Sequence, residues 1–255
     1  MKIIGLSLSG GGARGLGHIG VIKALEEFGI APTIISGTSA GALICAFYAA
    51  GYDIETLIKI SKKTDFFSFR HILFGKAGIL SMDAFETLIQ EHIPGNNFES
   101  LKKTLFVAAT DIVNCKTIYF SSGTLSKAVT ASSCIPMVYE PIKYNDTYLS
   151  DGGLMNNFPV EIIRDKCDFL IGVSVNSISN KIEHLHMKDI LDRSFHLALG
   201  GSIPEKAKLC DLFISPPEMS RFSMFDMDKV DEIIEYSYQY TIDFLKTLNF
   251  NKDQI

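Results

Sequence analysis

Thr33-Ile34-Ile35-Ser36-Gly37-Thr38-Ser39-Ala40-Gly41-Ala42-Leu43-Ile44-Cys45-Ala46-Phe47-Tyr48-Ala49-Ala50 decides how the rest of the chain is read. A short apolar run, residues 33–36, reads as a strand. A longer one, residues 40–50, reads as a helix, and between them lies a tight turn with Ser39 at its apex. A serine held there has an exposed hydroxyl at the positive end of a helix, and both features suit a nucleophile. Gly37 and Gly41 permit the sharp turn where a Cβ would clash. The helix is apolar nearly all round, so it belongs in the centre of the fold, covered on every side. A G-x-S-x-G pattern also occurs without chemistry, and its weight depends on what accompanies it.

Upstream, Ser9-Gly10-Gly11-Gly12-Ala13-Arg14-Gly15 joins a strand at residues 2–8 to a helix at residues 16–28. Consecutive glycines can turn their backbone N–H groups toward one point, an anion-binding nest backed by a helix N-terminus. In acyl transfer that point is the oxyanion, and one lost donor costs about 10²–10³ in rate. The loop also reads as a plain strand–helix turn. Gly10, Gly12 and Gly15 satisfy G-x-G-x-x-G literally, but a dinucleotide site needs an acidic residue near the end of the second strand. That strand ends in Ser36-Gly37-Thr38, with no carboxylate. Adjacent parallel strands end on one edge of a sheet, so the glycine loop and the Ser39 turn are expected to meet. Downstream, Tyr148-Leu149-Ser150-Asp151-Gly152-Gly153 places a carboxylate at a strand end beside two glycines that let other backbone approach. By itself this is also a turn.

Around these motifs strands and helices alternate. Strands are read at residues 105–110, 117–120, 169–175 and 209–214, and helices at 54–63, 82–92, 125–132, 187–199 and 227–248. Asn145-Asp146 joins a hairpin of residues 142–144 and 147–149. Phe158-Pro159-Val160 opens a helix, with Pro159 near its first position. The pattern predicts an α/β protein, a three-layer α/β/α sandwich with a mostly parallel central sheet, formed as one domain over residues 1–255. At 255 residues such a domain buries roughly 75% of its unfolded surface and needs no staples.

The net charge of −5 gives no attraction for nucleic acid. Cys45, Cys115, Cys134, Cys167 and Cys210 are scattered, odd in number and without C-x-x-C spacing. They read as free thiols of a reducing compartment rather than a zinc site or disulfide framework. No signal-peptide pattern and no bilayer-length apolar run is found, so a cytoplasmic location is expected, with export by a non-classical route as the alternative.

Together the three motifs resemble those of the patatin-like phospholipases, lipid acyl hydrolases with a Ser–Asp dyad. The resemblance covers residues 2–175. It includes Ala131-Ser132-Ser133-Cys134-Ile135-Pro136 and Asn157-Phe158-Pro159-Val160, which look like recurrent family segments. It implies the patatin-like fold, Ser39 as nucleophile and Asp151 as base. It also implies that residues Gly10 to Gly15 form the oxyanion loop, with Gly37, Gly41, Gly152 and Gly153 supporting the turns. The implied substrate is a lipid or other ester, with peripheral contact to a membrane or micelle, and no metal or organic cofactor is implied. Oligomeric state is not read from the sequence.

Other readings stand beside this one. Asp111, after a strong strand, is the second candidate base, with a structural role favoured. Arg14 either binds an anionic head group or, as favoured, anchors the loop through an ion pair. A Ser–His–Asp esterase would draw its histidine from His184, His186 or His196, but that fold usually builds more than two strands before its nucleophile. A nucleotide- or lipid-binding module would use the glycine loop without hydrolysis. The aromatic run at residues 66–74 reads equally as a lipid-facing flap or as a loop packed on the core.

Overall fold

In the computed structural model, which describes residues 2–63, 82–178 and 186–250, strand and helix alternate from the start. The first elements are β1 (Ile4–Leu8), α1 (Gly17–Glu27), β2 (Ile34–Thr38), α2 (Ala40–Ala50) and α3 (Ile54–Lys63). There follow α4 (Asp83–His92), β3 (Thr104–Asp111), β4 (Lys116–Phe120) and α5 (Leu125–Ser132). The hairpin strands β5 (Ile142–Tyr144) and β6 (Thr147–Asp151) lead into two single turns, α6 (Gly153–Asn156) and α7 (Glu161–Arg164). The chain continues through β7 (Phe169–Val173), α8 (Met187–Gly200), α9 (Ile203–Ala207), β8 (Leu212–Ile214) and α10 (Val230–Thr247). Among the described residues no helix is long and apolar enough to cross a membrane.

The strands form one sheet in the order β5-β6-β3-β2-β1-β7-β8, and the run β3-β2-β1-β7-β8 is parallel throughout. The β5–β6 hairpin extends it in the antiparallel sense, and β4 pairs antiparallel with β3. The aromatic run at residues 66–74 lies outside the described residues.

Side-chain alternation along the strands builds the layers. Leu6 and Leu8, Ile35, Leu105 and Val107, and Ile171 and Val173 point into one core, with α1, α2 and α10 above it. Their neighbours Ile34, Phe106, Leu170 and Phe213 point to the other face, against Phe158, Val160 and Ile163 around α7 and Ile203 of α9. A chain apolar on both faces of its strands must cover both faces, which gives the three-layer α/β/α sandwich. Helix α2 is buried from Gly41 through Ala49, the central position its uniform apolarity predicts.

Several boundaries differ from those read in the sequence, each for a packing reason. Strand β2 runs two residues further, through Thr38, because Gly37 and Thr38 pair with Val107 and Ala108. The helix expected at Phe158-Pro159 begins only at Glu161, because Phe158 and Val160 serve as fully buried core residues first. The strand expected at residues 209–214 starts at Leu212, since α9 and the turn after it occupy residues 203–210. The strand expected at residues 169–175 stops at Val173, where the Val175 N–H turns to donate to Ser9 Oγ at 3.2 Å. The helices expected at residues 16–28 and 227–248 each begin with a 3-10 turn, Gly12–Leu16 and Met227–Lys229.

Candidate active site

The turn between β2 and α2 holds Ser39 at φ 54° and ψ −124°, a combination sparsely populated by residues with a side chain. Such a position costs on the order of 1–3 kcal/mol and persists only when its surroundings over-determine it. Those surroundings are visible. The Ser39 N–H donates to Ser132 Oγ at 2.8 Å, and that hydroxyl donates to the Ala108 carbonyl of β3 at 2.6 Å. Gly41 lets the start of α2 lie directly against the end of β1. A Cβ there would fall 2.5 Å from Ser9 O and 2.6 Å from Leu8 O.

The Ser39 hydroxyl does not cap its own helix. It donates to Asp151 Oδ2 at 2.6 Å, across 112 residues of sequence. The register along β3 explains the meeting. Strand β4 occupies one edge of β3 from Val107 to Asp111, so β2 and β6 share the other edge end to end. Thr38 stands beside Ala108 and Asp151 beside Ala109, one residue apart on the same strand. The tips of β2 and β6 therefore abut, and their next side chains face each other.

Ser39 is 6% exposed and Asp151 4%. Burial pushes the Asp151 carboxyl up to about 6, against the pull of its hydrogen bonds from Ser39 and from the Gly153 N–H, the latter at 2.7 Å to Oδ1. Gly152 N–H is held by Ser132 O at 3.2 Å, so Ser132 fixes both the serine turn and the aspartate turn.

The glycine loop lies alongside. Gly15 packs on Ala40, the residue after the serine. The loop's amides divide into two groups. Gly10 N–H donates to Asn157 O at 3.1 Å, and Ala13 N–H to Met224 O at 2.8 Å, so these two are already engaged. The Gly11 and Gly12 N–H groups have no acceptor among the described residues. Neighbouring backbone thus ties down Gly10 and Ala13 on either side of these two amides. Arg14 is buried, and among its contacts Nε donates to Phe222 O at 2.6 Å and Nη1 to Ser177 O at 3.1 Å. His18, wholly buried, lies 2.8 Å through Nε2 from the Ser9 carbonyl. Because that carbonyl only accepts, Nε2 carries the proton. Burial lowers the imidazole to about 4, so it stays neutral.

Two cavities meet at Ser39. The larger is walled by Leu16, Leu43, Ile44, Phe85, Ile135 and Tyr139. The smaller is lined by Gly11, Gly12, Asp151, Asn157 and His196, together with Leu199 and Met224. Gly12, Ser39 and Ile135 border both.

The remaining candidates are placed differently from Asp151. Asp111 accepts from the Val113 and Asn114 N–H groups, the Asn114 amide and the Thr147 hydroxyl, which hold its carboxyl well below the usual range. It is the acceptor of a turn. His184 lies outside the described residues, and His186 stands at the start of α8. His196 lines the smaller cavity, yet Ser39 donates straight to Asp151 with no imidazole between. Among the described residues no cluster of three or more His, Cys, Asp or Glu side chains forms a metal site.

Sequence reasoning gave no role to Ser132, Asn157, Asn176 or His18. Ser132 and Asn157 did carry a signal, each standing in a segment that recurs in the family. Asn176, whose Nδ2 donates to Gly10 O at 2.7 Å, carried none.

Residues 6–164 match the family Patatin-like phospholipase. Lysophospholipase NTE1 of Kluyveromyces lactis is 28% identical over 289 residues, which is 97% of this chain and 19% of that protein. Lysophospholipase NTE1 of Coccidioides immitis is 29% identical over 283 residues, 97% of this chain and 18% of that protein. The chain thus spans about a fifth of the length of these curated relatives. The crystal structure of VipD from Legionella pneumophila is similar in fold, with a TM-score of 0.54 at 16% identity over 96% of this chain and 67% of that one.

Proposed function

The chain belongs to the patatin-like phospholipase family, and from this premise we propose that it is a serine acyl hydrolase cleaving carboxylic ester bonds of lipids, of the phospholipase A or lysophospholipase type. The observation that carries the reading is the 2.6 Å hydrogen bond from Ser39 Oγ to Asp151 Oδ2, both side chains buried where two cavities meet. In this reading Asp151 takes the serine proton as Oγ attacks the ester carbonyl. A free aspartate is a poor base at neutral pH, and burial brings this one closer to the working range. The Gly11 and Gly12 amides receive the developing oxyanion, helped by the positive end of α2. The alcohol leaves with the proton from Asp151, and water then releases the acid by the reverse route.

The apolar wall of the larger cavity suits an acyl chain. Leu154 and Met155, three and four residues beyond Asp151, and Met137, two beyond Ile135, stand exposed and suit contact with a lipid aggregate. The names of the relatives point the same way, toward lysophospholipid. Five free cysteines support a reducing, cytoplasmic setting, and the continuous sheet supports one catalytic domain over residues 1–255.

A fluorophosphonate probe is expected to label Ser39. Ser39→Ala should lose both labelling and hydrolysis across a panel of lysophospholipids, phospholipids, acylglycerols and short esters. Asp151→Asn should be nearly inactive, whereas Asp111→Asn keeps most of its activity in the folded fraction. Hydrolysis retained by Ser39→Ala would remove the nucleophile from this account.

A further inference from the structure

Two asparagines follow one another after α6, both almost wholly buried, and their side chains are treated in opposite ways. Asn156 is saturated. Its Nδ2 donates to Tyr119 Oη and Glu161 Oε1, and its Oδ1 accepts from Lys206 Nζ and the Phe158 N–H. Asn157 is 2% exposed, and among the described residues neither its Nδ2 nor its Oδ1 has a hydrogen-bond partner. A buried amide left unpaired costs stability, so a fold that keeps one there is asking it to bind something.

Its position says what. Asn157 O receives the Gly10 N–H, and the Asn156–Glu161–Lys206 cluster fixes the preceding backbone, so the side chain is held rather than free to swing. The amide is wedged between the glycine loop and the aspartate turn: a side-chain carbon at Gly10 would lie 2.4 Å from Oδ1, and one at Gly153 3.1 Å. It lines the smaller cavity together with Asp151, Ser39, Gly11 and Gly12. That compartment has room for about one water molecule. The larger, apolar cavity lies across Ser39 and takes the acyl chain in the reading above.

Building on that reading, we propose that Asn157 is a further catalytic residue, which holds the hydrolytic water for the second half of the reaction. Its Oδ1 accepts one hydrogen of the water. The other hydrogen then faces Asp151, and a lone pair faces the acyl carbon on Ser39. As the water oxygen bonds to that carbon, its proton passes to Asp151. Collapse of the intermediate breaks the carbon–Oγ bond, and the proton moves from Asp151 to Ser39 Oγ. Acylation needs no water, so it does not use this contact.

The test separates the two halves. With p-nitrophenyl butyrate, Asn157→Ala and Asn157→Ser are expected to keep the burst of nitrophenol and fluorophosphonate labelling of Ser39. Their steady-state turnover should fall by about 10²-fold, the scale set by a misplaced reactant, and intact-protein mass should show accumulated butyryl-enzyme. A residue that merely supports the fold would slow both halves together. Equal slowing of burst and turnover, no change in either, or loss of labelling in both variants would each overturn the proposal. Failure of the underlying dyad looks different: the wild-type protein would form no adduct on Ser39, and Ser39→Ala would still hydrolyse the ester.

Discussion

At a single residue, burial shifts the proton affinity of an ordinary carboxyl group, that of Asp151. Burial pushes the Asp151 carboxyl above the ordinary aspartate range, up to about 6. If this carboxylate is the base, kcat/KM should rise with pH through about 6 and then level off, and His196→Gln should leave that profile in place. A midpoint that vanishes with His196→Gln would favour a histidine base instead. The same shift predicts a stability effect. The folded pKa lies above the unfolded value, so the folded state binds the proton more tightly, and stability falls as pH rises from about 4 to about 6. Asp151→Asn removes that dependence. Relative to wild type it should gain stability through this window, by up to about 3 kcal/mol above it, read as a higher Tm at pH 8 and little change at pH 4.

Among the elements, the serine turn depends on two neighbours in space rather than in sequence. Strand β1 lies against its first helical turn, and Ser132 of α5 holds its backbone. Gly41→Ala would drive a Cβ into the carbonyls of Leu8 and Ser9, which belong to the sheet and have little room to move. The variant is expected to fold with a lowered Tm and to lose at least about 10²-fold in kcat/KM, since displacing the reacting group by about 1 Å has that effect. Unchanged activity would mean that the turn is not geometrically constrained. The boundaries that shifted between sequence and structure teach the same lesson. Phe158 and Val160 look like a helix start beside Pro159, yet a core below the sheet claims them first. Propensity is local, and burial against another layer outweighs it.

For the whole molecule, the arrangement of strands around β3 matters most. A parallel sheet delivers the glycine loop and the serine turn to one edge, and the antiparallel hairpin brings β6 back to meet them. In the proposed reading the exposed Leu154 and Met155 of α6 meet the lipid surface. Leu154→Asp with Met155→Asp is expected to weaken hydrolysis of lipid in vesicles several-fold while leaving a short soluble ester unaffected, since the pair lies outside both cavities. Equal loss on both substrates would place those residues in the catalytic fold instead.

What the chain's order of residues determined alone is considerable. Apolar strands alternating with helices specify a layered α/β fold, and the glycine loop, serine turn and Asp-Gly-Gly each stand out as a motif of a few residues. Those signals are local, because turn geometry and side-chain alternation act over short stretches. Tertiary structure alone decided the rest. The approach of Asp151 to Ser39, the engagement of Gly10 and Ala13, the hydrogen bonds of Arg14 to the Phe222 and Ser177 carbonyls and the unpaired amide of Asn157 all join residues far apart in the chain. They are set by strand register and by which buried polar atoms find partners, and neither is encoded at any single position.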